Sequence, residues 1–196
     1  MGINQLNMLN EVNMNYLNPT LGGLSIRDFH ITELDSISRL ISDSFKQYAP
    51  SAPSKSWQSY LEEITDVRSR LGDSELIVAE LQGRIVGSVT LYLDSHLVDD
   101  NYLKSHPTDQ GWPEGCASIR LLAVHPEYRR LGIGGGLLEE CVRRSLDRSI
   151  STVGVHTNEI MEVARQIYER RGFVRVPEFD FHPAPNLLVM AYRLDL

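Results

Sequence analysis

Leu24 and Ile26 alternate with polar neighbours, as a strand with one buried face does. From Thr32 the spacing becomes helical. Thr32-x-x-Asp35 has the form of a start signal, and Leu34, Ile37, Ile41, Phe45 and Tyr48 recur on one side. Pro50 and Pro53 break the chain, and a second helix is expected from about Ser54 to Arg70, carrying Trp57, Tyr60, Leu61 and Ile64 and ending at Gly72. Residues 76–93 are two β-rich runs around Gln82-Gly83, which predicts a hairpin because such turns require positive φ. Cys116 to Val124 is a further apolar strand. A glycine-rich turn then leads into a helix with Leu137, Leu138, Cys141, Val142, Ser145 and Leu146 on one face. Thr152 to His156 is a fifth strand, and Met161, Ala164, Ile167 and Tyr168 lie on one side of a helix that stops at Gly172. FVRVPEFDF and NLLVMAYRLDL close the chain as two strands about a proline-containing connection. The expectation is an α/β fold of about seven strands and four helices.

Two segments lack this periodicity. Residues 1–22 carry six Asn and one charge, Glu11, which predicts a flexible or loosely docked extension ahead of one domain over 23–196. Leu9, Val12 and Tyr16 have helical spacing, so a short packed helix is the alternative. Residues 94–115 are polar and turn-rich, and loops of that length are usually functional or disordered.

The composition narrows the class. A length of 196 residues, 42% of them apolar and 23% charged, suits one soluble domain. No apolar run reaches the ~18 residues of a membrane helix. The start lacks a basic segment followed by an apolar one, and Leu6 stands where a myristoylation signal wants Ser or Thr, so a cytoplasmic protein is expected. Cys116 and Cys141 form no Cys-x-x-Cys, so neither a disulfide scaffold nor a structural zinc site is indicated, and they read as small buried hydrophobes rather than nucleophiles. The net charge of −7 opposes nucleic acid and favours cationic partners. His96, His106, Asp94, Asp99, Asp100 and Asp109 crowd the long loop without ligand spacing. Recognition of a positively charged acceptor is favoured over a metal there, plain solvation being the alternative.

Arg129-Arg130-Leu131-Gly132-Ile133-Gly134-Gly135-Gly136 carries the most chemistry. Glycines let consecutive N–H groups turn inward, and the following helix adds the positive end of its dipole, so the turn can hold a phosphate or pyrophosphate. No Gly-Lys-Ser/Thr follows, which disfavours a Walker loop, and the leading hairpin disfavours a dinucleotide-binding βαβ unit. A turn used only for close strand–helix packing explains the glycines equally well.

Arg129-x-x-Gly132-x-Gly134, after Leu122-Ala123-Val124-His125-Pro126-Glu127-Tyr128, resembles the acetyl-CoA loop of the GNAT N-acetyltransferases. Ile167-Tyr168-Glu169-Arg170-Arg171-Gly172-Phe173 resembles that family's late-helix pattern Leu-Tyr-Glu-Lys-x-Gly-Phe. The resemblance implies a mixed, mostly antiparallel sheet splayed between its fourth and fifth strands, with the pantetheine arm of acetyl-CoA in the opening. Backbone groups of Leu122, Ala123 and Val124 would pair with that arm, and the Val124 N–H would polarise the thioester carbonyl. The N–H groups of Arg130, Leu131, Gly132, Ile133, Gly134 and Gly135 would hold the pyrophosphate; the charges of Arg129 and Arg130 could assist, simple surface solvation being the alternative for both.

The same resemblance makes Tyr168 the proton donor to the departing thiolate, a core tyrosine being the alternative. The base departs from common patterns. Where some relatives carry a strand-four glutamate this chain has Ser118, and where others carry a strand-five glutamate it has His156. An imidazole with a pKa of ~6.5 can take a proton near neutrality, directly or through water. Glu114 is a weaker substitute, and a packed histidine is the bland reading. Met161 replaces the family's frequent asparagine, and Asn158 lies out of register. The implied activity is direct acetyl transfer to a primary amine in a ternary complex. The rival is a silent acyl-CoA sensor, and binding of a nucleotide phosphate by the same turn is a third reading. The acceptors open are polyamines, aminoglycosides, amino acids or a protein N-terminus. Homodimers are common in the family, and the last strands of this chain could provide such a contact.

Overall fold

A computed structural model describes residues 22–51, 54–94, 111–184 and 187–196. The Asn-rich segment up to residue 21 and most of the acidic loop, including His96, His106, Asp99, Asp100 and Asp109, lie outside the described residues.

Strand β1 is Leu24–Asp28, β2 Glu75–Leu81, β3 Arg84–Tyr92, β4 Cys116–Val124 and β5 Thr152–Asn158. Then come β6, Val174–Arg175, β7, Phe181–Ala184, and β8, Leu187–Asp195. They form one mixed sheet in the order β1-β2-β3-β4-β5-β8-β6, with β7 also paired to β8. The helices are α1, Leu34–Phe45, α2, Ser54–Thr65, α3, Ile133–Asp147, and α4, Glu162–Arg171. Every strand pairing is antiparallel except β4 with β5.

The two faces of the sheet carry two cores. Ile77, Val89, Leu91, Ala117, Ile119, Val153 and Val155 meet Leu137, Leu138, Cys141 and Val142 of α3 and Tyr168 of α4. On the other face Leu76, Val78 and Ala123 meet Leu34, Ile37, Ile41 and Phe45 of α1 and Ile64 of α2. The alternation of each strand therefore sorts its side chains between two helical layers.

The expected elements form, with three differences. α1 starts at Leu34, after a 3-10 turn over Ile31–Glu33 in which the Glu33 carboxylate accepts the His30 N–H at 2.7 Å. α2 stops at Thr65 instead of Arg70, because the Arg70 Nη1 turns back to donate to the carbonyls of Ile64 and Asp66 (3.2 and 3.1 Å), ending the ladder. FVRVPEFDF is not one strand. Pro177 cannot donate to a ladder and starts a 3-10 turn through Phe179, so β6 and β7 are separate and the described residues form eight strands of the sheet. The hairpin turn has the expected positive φ at both Gln82 and Gly83.

Candidate active site

The parallel pairing of β4 and β5 runs from Cys116 beside Thr152 to Ile119 beside Val155, and there it stops. β5 continues against β8, with His156 beside Ala191, while β4 continues against β3. The sheet therefore forks after Ile119. β4 also contains a bulge: Thr90 faces Arg120 and Ser88 faces Ala123, so two steps on β3 match three on β4, and Leu121 adopts φ 52°. The extra residue reverses the alternation. Leu121 and Ala123 join the α1/α2 core, and Leu122 and Val124 pack toward α3 and α4.

The His125 N–H donates to Val86 O at 2.9 Å, which makes the adjoining Val124–Gly87 pair the non-bonded kind, so the Val124 N–H and C=O point away from β3 and into the fork. By the same alternation Leu122 presents its backbone there, whereas Ala123 bonds with Ser88. The Val124 carbonyl accepts the Arg129 Nε at 3.3 Å. Arg129 also donates from Nη2 to Ser44 O (2.9 Å) and from Nη1 to Gln47 Oε1 (2.8 Å), buckling the turn to the end of α1. Its charge is thus spent on the scaffold, while Arg130 is exposed at φ 64°.

Gly132 at φ 85° caps α3, and the first helical bond runs from Gly136 N–H to Gly132 O at 2.9 Å. The N–H groups of Ile133, Gly134 and Gly135 precede that ladder and have no helical acceptor. A Cβ on Gly134 would lie 3.4 Å from Ile167 and 3.6 Å from Val124, so the turn is packed between the ends of β4 and α4. Leu131 packs at the edge of the α3/α4 core. Donors in a row, at a helix start and beside an unpaired strand edge, fit a diphosphate followed by an amide-bearing arm.

Tyr168 is 5% exposed, its ring 5.7 Å from that of Phe173. The positive φ of Gly172 ends α4 and lets the Phe173 N–H cap Tyr168 O at 3.0 Å, which sets the two rings together. Burial, with smaller contributions from Cys141 and Tyr48, holds the phenol above the usual tyrosine range, so it remains a proton donor at neutral pH. Arg171, also on α4, pairs with the buried Glu139 of α3 (Nη2 to Oε2 3.3 Å), tying the helix of the glycine turn to the helix of Tyr168.

His156 projects from the opposite face. Gly154, two residues earlier, carries the Trp112 ring so closely that a Cβ would lie 2.2 Å from it, and His156 stacks on the same ring at 4.9 Å with Phe181 edge-on at 5.2 Å. His156 Nε2 lies 3.0 Å from Phe179 O. A carbonyl only accepts, so Nε2 holds the hydrogen in the neutral ring and Nδ1 is its basic nitrogen. The 3-10 turn bearing Phe179 is fixed by Asp180, which accepts two bonds from Arg175 (2.7 Å each) and the Ala191 N–H (2.8 Å).

Glu114 is exposed in the turn before β4, at the closed end of the fork, about six residues or ~20 Å of strand from its mouth. Ser118 is buried beside Gly154. Met161 packs in the α1/α2 core, and the Asn158 side-chain oxygen is buried without a hydrogen-bond partner among the described residues. Burial raises both thiols, Cys116 to about 12 and Cys141 further, which keeps them protonated. No group of three His, Cys, Asp or Glu among the described residues is arranged to hold a metal. The residue not anticipated is Arg120, the next β4 residue on the His156 side of the sheet after Ser118, paired with Glu63 of α2 at 3.8 Å.

A mixed sheet forked beside a glycine turn, with a buried, protonated tyrosine on the helix after β5, fits a coenzyme A-dependent acyltransferase. The chain belongs to the acetyltransferase (GNAT) family, whose profile matches residues 34–173, and it is an acetyl-CoA-dependent acyltransferase. An uncharacterised N-acetyltransferase of Schizosaccharomyces pombe is 28% identical over 135 residues, covering 68% of this chain and 81% of that protein. The PaiA N-acetyltransferase of Thermoplasma acidophilum, solved in complex with coenzyme A, shares the fold with a TM-score of 0.65 and 18% identity, over 88% of this chain and 99% of that one. The ribosomal-protein-S18-alanine N-acetyltransferase of Escherichia coli has a TM-score of 0.60 at 15% identity, over 88% and 93%. No helix among the described residues is long and apolar enough to cross a membrane.

Proposed function

We propose that the protein acetylates a primary amine by direct transfer, with acetyl-CoA and acceptor bound together on opposite faces of the forked sheet. The fork itself carries this reading. Its α3/α4 side offers the glycine turn and Tyr168, and its α1/α2 side offers His156 and Arg120.

Acetyl-CoA supplies the activated acetyl group. The N–H groups of Ile133, Gly134 and Gly135 hold its diphosphate, and backbone groups of Leu122 and Val124 align its arm. The Val124 N–H donates to the carbonyl oxygen as negative charge develops there. Nδ1 of His156 takes the proton that the amine must lose to attack, and Oη of Tyr168 gives one to the leaving sulfur as the C–N bond forms and the C–S bond breaks. The buried, protonated thiols of Cys116 and Cys141 support transfer without an acyl-cysteine, and their reduced state supports work in the cytoplasm. The net charge of −7 supports an ammonium-bearing partner over a nucleic acid.

The test is titration of acetyl-CoA by calorimetry, followed by coenzyme A release over a panel of amines. Saturable binding and amine-dependent thiol release are expected. Absence of binding overturns the assignment, and binding without release for any amine marks a silent sensor. In an active protein His156→Ala should lose most activity near neutrality and less at alkaline pH, where the amine is already deprotonated. Equal loss at every pH removes the base role.

A further inference from the structure

On the α3/α4 face the two walls of the fork carry different chemistry. β5 turns Val153, Val155 and Thr157 to that face, since their partners on β8, Leu194, Tyr192 and Met190, all lie in the α3/α4 core. β4 shows Ile119 there and then, past the bulge, Leu122 and Val124. Pairing of the two strands ends at Ile119 and Val155. Leu122 and Thr157 are therefore the first side chains on this face beyond the closed end, one on each wall.

Thr157 is 4% exposed, and its Oγ1 is buried without a hydrogen-bond partner among the described residues. A hydroxyl shut away from water and left unpaired destabilises a fold. Valine has nearly the same shape without that cost, and β5 uses it at the two preceding positions of the row, both buried. The change from valine to threonine falls where the row passes from the paired sheet into the fork. Ser44, Ser88 and Thr90 also bury hydroxyls that lack a partner among the described residues, but none is on this face. Ser44 belongs to α1, and Ser88 and Thr90 lie opposite Val78 and Leu76, which face α1 and α2.

We propose that the Thr157 hydroxyl binds the pantetheine arm of acetyl-CoA, donating to an amide carbonyl of the arm from the β5 wall while Leu122 and Val124 hold it from β4. This rests on the placement of the arm in the fork proposed above and adds a side chain to its binding site. The main-chain groups of β4 reach the arm from one side only. A donor on the other wall holds it across its width, where a single edge would leave it free to swing. In the coenzyme-bound protein the buried hydroxyl then has its acceptor.

Thr157→Val tests this, because it keeps the shape and removes only the hydroxyl. Without coenzyme the variant should resist urea at least as well as the wild type, since an unpaired buried group has been lost. Its affinity for acetyl-CoA should fall about three- to tenfold by calorimetry, the worth of one neutral hydrogen bond, and Thr157→Ser should recover part of that. The control ligand is 3′-phospho-ADP, which has the diphosphate and no arm; read by displacement of acetyl-CoA, it should bind the wild type and Thr157→Val alike. An acetyl-CoA affinity unchanged in Thr157→Val, or an equal loss for both ligands, overturns the proposal. A free variant clearly less stable than the wild type also overturns it, by showing that the hydroxyl has a partner within the fold. Any of these results leaves acetyl transfer standing, whereas failure of the wild type to bind acetyl-CoA sinks the transfer as well.

Discussion

In the proposed transfer Tyr168 acts by staying neutral. A phenol in the apolar layer between α3 and the sheet is disfavoured as an anion, so at neutral pH it offers a hydrogen. Tyr168→Phe keeps the ring packed on Phe173 and removes only that hydrogen. Turnover should fall roughly a hundredfold, within the range for a positioned acid, with acetyl-CoA affinity nearly unchanged. Steady-state kinetics beside calorimetric titration checks this, and a wild-type rate would return Tyr168 to the core. At this scale the sequence was partly legible. Tyr168 and Gly132 could be singled out because their signals are local: a tyrosine four positions before the Gly of a Gly-Phe pair, and a turn needing positive φ. The place of Arg120 on the face of Ser118 follows from strand alternation, but its pairing with Glu63 of α2 does not. The closeness of Trp112 to Gly154 joins distant stretches of chain, and no local pattern encodes it.

Between elements, the decisive contact is Arg129. Its guanidinium joins the end of β4, through Val124 O, to the end of α1, through Ser44 O and Gln47. The sequence suggested that its charge could assist in holding the pyrophosphate; the structure shows it bonded to Val124, Ser44 and Gln47. Arg129→Ala should cost about 1.5–3 kcal/mol of stability, the worth of hydrogen bonds to a charged group, and weaken acetyl-CoA binding by loosening the turn. Arg130→Ala, at an exposed position, should change stability by less than ~0.5 kcal/mol. Urea unfolding of the two variants decides between them. Element order was readable because periodicity is written into each segment. The break at Pro177 and the early end of α2 at Thr65 were not, because one depends on where β8 inserts and the other on Arg70 folding back.

For the whole molecule, the ionisable groups define a pH window. Arg27 holds Glu33 below the usual carboxylate range, and at Glu140 and Asp180 arginine bonds outweigh the upward push of burial. These lowered groups stabilise above their unfolded pKa, and that contribution is lost as the pH falls through the folded values. Burial raises Cys116 and Tyr60 to about 12, and Cys141 and Tyr168 further. An acid raised on folding keeps its contribution below the unfolded pKa and loses it as the pH climbs past it. Denaturation midpoints should therefore be flat from pH ~5 to ~8 and fall on both sides, the alkaline decline beginning near the ordinary cysteine value of ~8.5. A Cys116→Ser variant should make that decline shallower without moving its onset, because Cys141 still contributes from the same ordinary value. Unchanged midpoints up to pH ~11 would show that these groups do not feel folding.

The bulge at Leu121 has a consequence of its own. Below it β4 lends side chains to one layer of the molecule, and above it the inserted residue has swapped inside for outside, freeing the main chain of Val124 for the opening. Shortening the strand by one residue at that point would scarcely alter its length or composition, yet it would turn the upper half over, sending Ala123 to the wrong layer and the Val124 amide back toward β3. This stretch can absorb exchanges of one apolar residue for another far more readily than a deletion.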